Sequence, residues 1–177
     1  MNVEYEVRVL EINKKELISK IESLGGKFIG EYNQRRYVYD FNPKLDGKWI
    51  RLRTNGEETT LTIKEVTGTK IDSTKELEVI VSNFDDTNQI LKELGYIPKG
   101  YQENKRIRYM LNGVELDIDH WPMIPIYLEI EGKDEQEVNA IIDLLEVDKS
   151  KITSKNVQSI YLEEYGINIE EIKDLRF

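Results

Sequence analysis

The chain has 177 residues, of which 39% are hydrophobic, and its formal net charge at pH 7 is −9. This size is sufficient for one domain with its own core, and the acidic balance argues against nucleic acid polymers as partners, because these require a basic surface. Cysteine is absent, which excludes disulfides, thiolate metal ligands and a cysteine nucleophile. We predict a single domain over residues 1–177, with a strand core at about 3–131 and a C-terminal helical segment at about 135–177.

The opening segment argues against a secreted or membrane protein, and the histidine content argues against sites built from several histidines. Residues 1–10 lack the basic start and the apolar run of a signal peptide, and no segment reaches transmembrane length. We therefore expect a cytoplasmic protein with no membrane partner. His120 is the only histidine, which excludes a multi-histidine metal site and disfavours a Ser-His-Asp triad. We interpret His120 as an ordinary turn residue.

Strand and helix patterns alternate along the chain. The first strand is predicted at Val3–Leu10, and Asn13 with Glu16 resembles a capping box at the start of the first helix. Further strand-like runs predict strands at Arg35–Asp40, Lys48–Arg53, Thr59–Lys64, Lys75–Val81, Asn104–Leu111, Gly113–Asp119 and Ile126–Glu131, and β-branched residues at alternate positions mark Lys75–Val81. Two more helices are predicted at Asp86–Leu94 and Glu135–Leu145, and the tail, Ser154–Phe177, is predicted to be a closing helical segment or lid.

Paired carboxylates recur in three of these strands. Each pair has the pattern Glu-apolar-Glu, at Glu4-Tyr5-Glu6, Glu76-Leu77-Glu78 and Glu129-Ile130-Glu131. Residues two apart on a strand point to the same face, so each pattern places two carboxylates side by side. Neighbouring carboxylates repel each other unless a divalent cation or a basic side chain lies between them.

Paired basic residues show the same spacing in other strands. Arg51-Leu52-Arg53 and Arg106-Ile107-Arg108 are two such pairs, and Lys64 ends a further strand. Like charges aligned on one strand face are unfavourable on an ordinary sheet surface, so several such strands indicate a face turned toward a common ligand. Each motif taken alone is more typical of a solvated strand face.

The order of the charged residues resembles that of the CYTH superfamily, also called the triphosphate tunnel metalloenzymes. The matching series runs from residue 4 to about residue 131 and reads Glu4-x-Glu6-x-Arg8, Arg51-x-Arg53, Lys64, Glu76-x-Glu78, Arg106-x-Arg108, Asp119, Glu129-x-Glu131. We interpret three other acidic pairs, which lack this family-like order, as surface charge, at Glu57-Glu58, Glu163-Glu164 and Glu170-Glu171. The family includes class IV adenylyl cyclases, thiamine triphosphatases, inorganic triphosphatases and RNA triphosphatases of the fungal type. The resemblance implies an α+β fold in which a closed eight-stranded antiparallel β-barrel forms a tunnel with flanking helices.

The resemblance also implies roles for the charged residues. Mg²⁺ or Mn²⁺ would be bound by five carboxylates, Glu4, Glu6, Asp119, Glu129 and Glu131. A triphosphate would be bound by six basic residues, Arg8, Arg51, Arg53, Lys64, Arg106 and Arg108. The residues expected to act directly in catalysis are Glu4, Glu6, Arg8 and Glu131, and those expected to support them are Glu76, Glu78, Asp117 and Lys155.

Arg8 departs from the family pattern, because the opening signature of the family ends in lysine. Arginine is a planar, permanently charged fork, whereas lysine is a compact point charge. If the family residue only neutralises phosphate, Arg8 will serve equally well. If that residue orients water at close range, turnover would be slower or the preferred ligand would change.

Two reactions are compatible with such a tunnel. Metal ions with Arg and Lys neutralise a triphosphate and stabilise the charge that develops in phosphoryl transfer. Attack by water gives hydrolysis, and attack by a ribose 3′-hydroxyl gives a cyclic nucleotide and pyrophosphate. We predict a triphosphatase acting on inorganic, thiamine or nucleoside triphosphate, with a class IV adenylyl cyclase as the alternative and a non-catalytic phosphate-binding module as the second alternative. The expected partner is a small triphosphate-containing molecule, and the resemblance is compatible with a homodimer.

Overall fold

Eight strands form a closed antiparallel barrel in the computed structural model, which describes all 177 residues. The barrel strands are β1 (Asn2–Val9), β2 (Lys27–Asp40), β3 (Lys48–Thr54), β4 (Thr59–Val66), β5 (Thr74–Val81), β6 (Pro98–Leu111), β7 (Val114–His120) and β8 (Tyr127–Gly132). Their order around the barrel is β6-β2-β3-β4-β5-β1-β8-β7, and β7 pairs back to β6. The predicted eight-stranded tunnel fold is therefore confirmed.

Helices and short segments flank the barrel. The helices are α1 (Lys14–Ser23), α2 (Phe84–Glu93), α3 (Glu135–Leu145) and α4 (Val157–Ser159), which continues as a π-helical turn over Ile160–Glu164. The predicted cap of α1 is confirmed, because the Asn13 side chain accepts from the backbone N–H groups of Lys15 and Glu16. Two short strands complete the sheet: β9 (Ile152–Thr153) is antiparallel to β1, and β10 (Asp174–Leu175) is parallel to β6. None of the helices has the length and the apolar run needed to cross a bilayer.

The largest hydrophobic core lies outside the barrel wall. Val7 and Val9 of β1 are buried in this core together with Ile21 of α1 and Ile141 of α3. Burial of one such side chain contributes about 1.5–3 kcal/mol, so the packing of the helices against the outer face stabilises the barrel. The alternate residues of each strand point to the other face, which leaves the interior to polar and charged side chains.

The tail covers one end of the barrel. Tyr161 and Leu175 pack in a second apolar cluster with Trp121 and Tyr127, and the Tyr161 hydroxyl donates to the carbonyl of Pro122. Trp121 is 2% exposed. The residues predicted to form a helical segment at about 135–177 thus comprise α3, short helical turns and two short strands.

Two strands are longer than their patterns indicate. We predict β2 from Arg35 and β6 from Asn104, but they begin at Lys27 and Pro98 and pair with each other along most of their length. The register shifts between Phe28 and Gly30, which breaks the alternation that identifies a strand in the sequence.

Candidate active site

The charged pairs meet across neighbouring strands in the barrel interior. Glu6 lies opposite Glu131 and Arg8 lies opposite Glu129 in the pairing of β1 with β8. Lys64 lies opposite Glu76 in the pairing of β4 with β5. The structure thereby brings acidic and basic residues to one interior face, where they form two ion-pair networks.

The first network is centred on Arg106 and is called here the Arg106 network. The Arg106 Nε and Nη2 atoms lie 2.8 and 2.6 Å from the two carboxylate oxygens of Asp119, and Nη2 lies 3.1 Å from Glu129 Oε1. Arg106 also pairs with Asp117, which in turn pairs with Arg108. Burial alone would raise the pKa of Glu129, but the charges of Arg8 and Arg106 hold it well below its usual range. Three carboxylates therefore surround the Arg106 guanidinium.

Arg8 joins this network to the tail. Its Nη2 atom lies 2.6 Å from Glu129 Oε2 and 3.1 Å from Glu6 Oε2, and its Nη1 atom donates to the Lys155 carbonyl at 2.9 Å. The Lys155 ammonium points elsewhere and pairs with Glu163 and Glu164 at 2.9 and 2.6 Å. Lys155 therefore contacts the predicted site residue Arg8 through its backbone carbonyl and not through its ammonium group.

We expect Arg8→Lys to loosen the tail, because an ammonium group cannot span the two carboxylates and the carbonyl at once. Loss of one charged hydrogen bond, about 1.5–3 kcal/mol, should speed local amide exchange of residues 152–157 by roughly 10- to 100-fold. Exchange is measured by mass spectrometry. Lys155→Met is the control, since it removes an exposed ammonium but keeps the carbonyl, and exposed ion pairs contribute little. Equal exchange in wild type and Arg8→Lys would show that the contact does not hold the tail.

The second network is centred on Lys64 and is called here the Lys64 network. Lys64 Nζ lies 3.0 Å from Glu4 Oε2 and 2.7 Å from Glu76 Oε2. Arg51 Nη2 lies 3.1 Å from Glu78 Oε2 and 3.5 Å from Glu76 Oε1. Burial would raise the pKa of Glu76, but Arg51 and Lys64 lower it to about 2, whereas burial raises the pKa of Glu4 to about 8. Glu76 and Glu78 thus hold the basic side chains in place.

Arg53 is held more loosely than the other basic residues. Its single ion pair is with Glu78 Oε2, at 3.8 Å. Burial, and then the neighbouring charges of Arg51 and Arg106, lower the pKa of Arg53 to about 10. Its charge is therefore poorly compensated by the protein.

Three carboxylates lie together beside Arg8. Glu6, Glu129 and Glu131 each place an oxygen within 4.8 Å of the others. Glu131 forms no ion pair, and burial, followed by the charges of Glu129 and Glu6, raises its pKa to about 7. Carboxylate oxygens are the ligands that Mg²⁺ and Mn²⁺ prefer, so these residues fit such an ion. Of the five predicted metal ligands these three lie together, while Glu4 pairs with Lys64 and Asp119 with Arg106.

A cavity of about 390 Å³ opens next to these carboxylates. Its inner wall contains Glu6 and four basic side chains, Arg8, Arg36, Arg51 and Lys64. Its rim contains apolar side chains, among them Leu45, Trp49, Val66 and Val157, together with charged side chains of both signs, Asp40, Lys44, Asp46, Lys48, Lys99 and Glu170. The excess of positive charge on the inner wall favours a polyanion, and the rim is suited to an apolar or aromatic group attached to it.

A family model, the CYTH domain, matches residues 2–161. The chain belongs to the CYTH family. A protein of Methanocaldococcus jannaschii, provisionally named an adenylate cyclase, is 27% identical over 180 aligned residues, which cover 93% of this chain and 99% of that protein. The alignment thus spans almost the whole length of both proteins.

Solved structures share the fold. The PH1012 protein of Pyrococcus horikoshii superimposes with a TM-score of 0.75 and 24% identity, covering 86% of this chain and 96% of that one. HpAC1 from Hippeastrum, described as an adenylyl cyclase candidate with a dominant triphosphatase activity, superimposes with a TM-score of 0.60 and 13% identity, covering 94% and 96%. At these identities the likeness shows the fold of the CYTH barrel.

Sequence reasoning missed Arg36 as a residue of this CYTH tunnel. Arg36 lies on β2, is buried and lines the cavity. The sequence contains Arg35-Arg36 rather than an Arg-x-Arg pair, so the spacing that identified the other basic residues is absent. The signal that was available is the alternation of Gln34, Arg36 and Val38, which places Arg36 on one face of the predicted strand and Arg35 on the other.

Proposed function

We propose that this CYTH protein is a divalent-metal-dependent triphosphatase that acts on a triphosphate-containing substrate inside the barrel. The observation that carries the proposal is the cluster of Glu6, Glu129 and Glu131 beside a cavity with four basic residues on its inner wall. Hydrolysis of a phosphoanhydride requires a cation site and a polyanion site in contact with each other. No further group is needed to bind the substrate.

The residues divide into two sets by their chemistry. Glu6, Glu129 and Glu131 would hold Mg²⁺ or Mn²⁺, which supplies charge neutralisation and Lewis acidity when bound. Arg51, Arg53 and Lys64 would bind phosphate oxygens, a geometry for which the fork of arginine is well suited. Glu76 and Glu78 hold Arg51 and Lys64 at the cavity wall before substrate binds, and Glu78 also contacts Arg53 at 3.8 Å. Such preorganisation lowers the cost of ordering the site during the reaction.

Arg53 provides a direct test of phosphate binding. We expect Arg53→Ala to weaken the affinity for inorganic triphosphate by roughly 10- to 100-fold, because a charge-assisted contact of about 1.5–3 kcal/mol is lost. The melting temperature should change little, since the side chain has one ion pair at 3.8 Å. Isothermal titration calorimetry measures the affinity. Unchanged affinity would mean that Arg53 does not contact the ligand.

A class IV adenylyl cyclase is the second candidate. The apolar rim, with Trp49 and Leu45, favours a substrate with an organic group rather than a bare triphosphate chain. A cyclase would need an adenosine held there with its ribose near the cation site, as in-line attack by the 3′-hydroxyl requires. The name of the Methanocaldococcus relative supports the same possibility.

Product analysis distinguishes these reactions. Purified protein is incubated with Mg²⁺ or Mn²⁺ and either ATP or inorganic triphosphate, and the products are resolved by chromatography. Release of orthophosphate supports the triphosphatase. Cyclic AMP with pyrophosphate supports the cyclase and overturns our first choice. Tight binding of inorganic triphosphate without any product would favour a non-catalytic phosphate-binding module.

A further inference from the structure

Arg36 differs from every other basic residue on the tunnel wall. Arg8, Arg51, Arg106 and Lys64 each pair with two or more carboxylates. Arg36 is 7% exposed, yet it forms no ion pair. It is therefore a buried positive charge with no carboxylate in direct contact, and Asp119 is linked to it only through the Asn104 side chain.

Neutral groups hold Arg36 in position. Its Nη2 atom donates to Gln34 Oε1 at 3.1 Å and to the side-chain oxygen of Asn104. The guanidinium lies over the Trp121 ring, 4.5 Å from the ring centroid. Its Nε atom is buried and has no hydrogen-bond partner. These contacts fix the direction of the side chain but leave its charge and one donor unmatched.

An unmatched buried charge lowers the stability of a protein. Burial, and then the charges of Arg53, Arg51 and Arg106, hold the pKa of Arg36 well below its ordinary value. Arginine nevertheless keeps its proton in proteins, so the repulsion among these residues persists. A bound anion would remove it, and residues that destabilise a fold in this way are concentrated at functional sites.

We propose that Arg36 is a phosphate-binding residue of this tunnel, with Gln34, Asn104 and Trp121 as its positioning residues. The inference rests on the proposed function and deepens it, because it names which cations the substrate meets. Arg36 lies opposite Arg53 in the pairing of β2 with β3 and lines the same cavity as Arg51 and Lys64. The phosphate-binding set is thus Arg36, Arg51, Arg53 and Lys64. Arg106 and Arg108 do not line this cavity and pair with three and two carboxylates, so we assign them to the framework of the barrel.

The adjacent residue offers a matched control. Arg35 is next to Arg36 on the same strand but lies on the outer face, over the Phe84 ring at 4.6 Å and 3.8 Å from Asp85. Arg36→Met and Arg35→Met remove the same charge and differ in whether that charge faces the tunnel. Arg36→Lys keeps the charge but removes the fork and serves as the conservative variant.

The test combines affinity and stability measurements with inorganic triphosphate as the probe. Calorimetry without added metal should show affinity weakened roughly 10- to 100-fold in Arg36→Met, less in Arg36→Lys, and within about twofold in Arg35→Met. The melting temperature of ligand-free Arg36→Met should equal or exceed that of wild type, since an uncompensated charge is removed. A purely structural arginine would instead lower that melting temperature.

Two results would overturn the proposal. The first is wild-type affinity in Arg36→Met. The second is equal weakening in Arg36→Met and Arg36→Lys together with a lower melting temperature of both ligand-free proteins, which would assign Arg36 to the framework. Metal-dependent turnover by the wild type is measured in parallel. If the wild type turns over the triphosphate, either result refutes only the role of Arg36 and leaves the proposed function standing. A wild type that neither binds nor cleaves the triphosphate would refute both.

Discussion

Glu131→Gln is expected to reduce metal-dependent turnover by roughly 100-fold or more, because a metal-bearing carboxylate contributes several kcal/mol to the stabilisation of charge in phosphoryl transfer. Glu131 is the carboxylate of the cluster with Glu6 and Glu129 that has no ion pair in the protein. Its charge is therefore compensated only when a cation binds. Glutamine keeps the shape of the side chain but is a much weaker ligand.

The same substitution should leave the fold intact. Burial and the neighbouring carboxylates raise the pKa of Glu131 to about 7, so the folded protein does not depend on its charge. The melting temperature of Glu131→Gln should equal or exceed that of wild type. Glu65→Gln is the control for the loss of a glutamate charge outside the carboxylate cluster. Glu65 pairs with Lys48 at 3.7 Å on the partly exposed side of β4. Full activity of Glu131→Gln with unchanged metal dependence would remove Glu131 from the cation site.

Glu6→Gln is expected to reduce turnover in the same way. Unlike Glu131→Gln, it should also lower the stability of the protein, because it removes an ion pair. Glu6 Oε2 lies 3.1 Å from Arg8 Nη2, so its charge has a partner in the protein. Loss of that charge leaves Arg8 with Glu129 and the Lys155 carbonyl. Comparing the melting temperatures of the two glutamine variants therefore separates the metal-binding role from the ion-pair role.

Arg106→Met is expected to destabilise the protein by about 3–5 kcal/mol, because removing one partner of a buried ion-pair network leaves buried carboxylate charge uncompensated. For a chain of this length such a loss lowers the melting temperature by roughly 10 °C. Asp119 loses its only ion pair, whereas Asp117 keeps Arg108 and Glu129 keeps Arg8, and all three carboxylates are buried. Thermal unfolding followed by circular dichroism measures the effect.

Two further variants control for this prediction. Arg53→Met removes another arginine of the interior, but one with a single ion pair at 3.8 Å, and should cost far less stability. Asp119→Asn added to Arg106→Met should restore part of the loss, because it removes the carboxylate charge that has lost its only ion pair. If Arg106→Met melts like wild type but binds inorganic triphosphate more weakly, Arg106 contacts phosphate and is not a framework residue.

The strand period explains how much of the site could be predicted from the sequence. Glu4, Glu6 and Arg8 stand at alternate positions of β1, so their common face follows from strand geometry alone. The order of such strands along the chain was sufficient for the resemblance to a barrel family, and that family is confirmed over residues 2–161.

The pairing of individual charges could not be predicted in this way. Arg106 binds Glu129 from a strand two positions further along the chain, and Arg8 donates to a carbonyl 147 residues away. Such contacts depend on the tilt and closure of the barrel, which local patterns do not contain. The lack of an ion pair at Arg36 could not be predicted either, since only the closed barrel shows that no carboxylate comes near enough to pair with it.

The most direct test of metal-assisted triphosphate chemistry in the tunnel is the anomalous scattering of Mn²⁺ in crystals grown with a non-hydrolysable triphosphate analogue. We predict a manganese peak among the carboxylates of Glu6, Glu129 and Glu131, with the phosphates against Arg51 and Lys64 in the cavity of about 390 Å³. Manganese and phosphate bound together outside the barrel, or phosphate in the cavity with no manganese at these carboxylates, would contradict it.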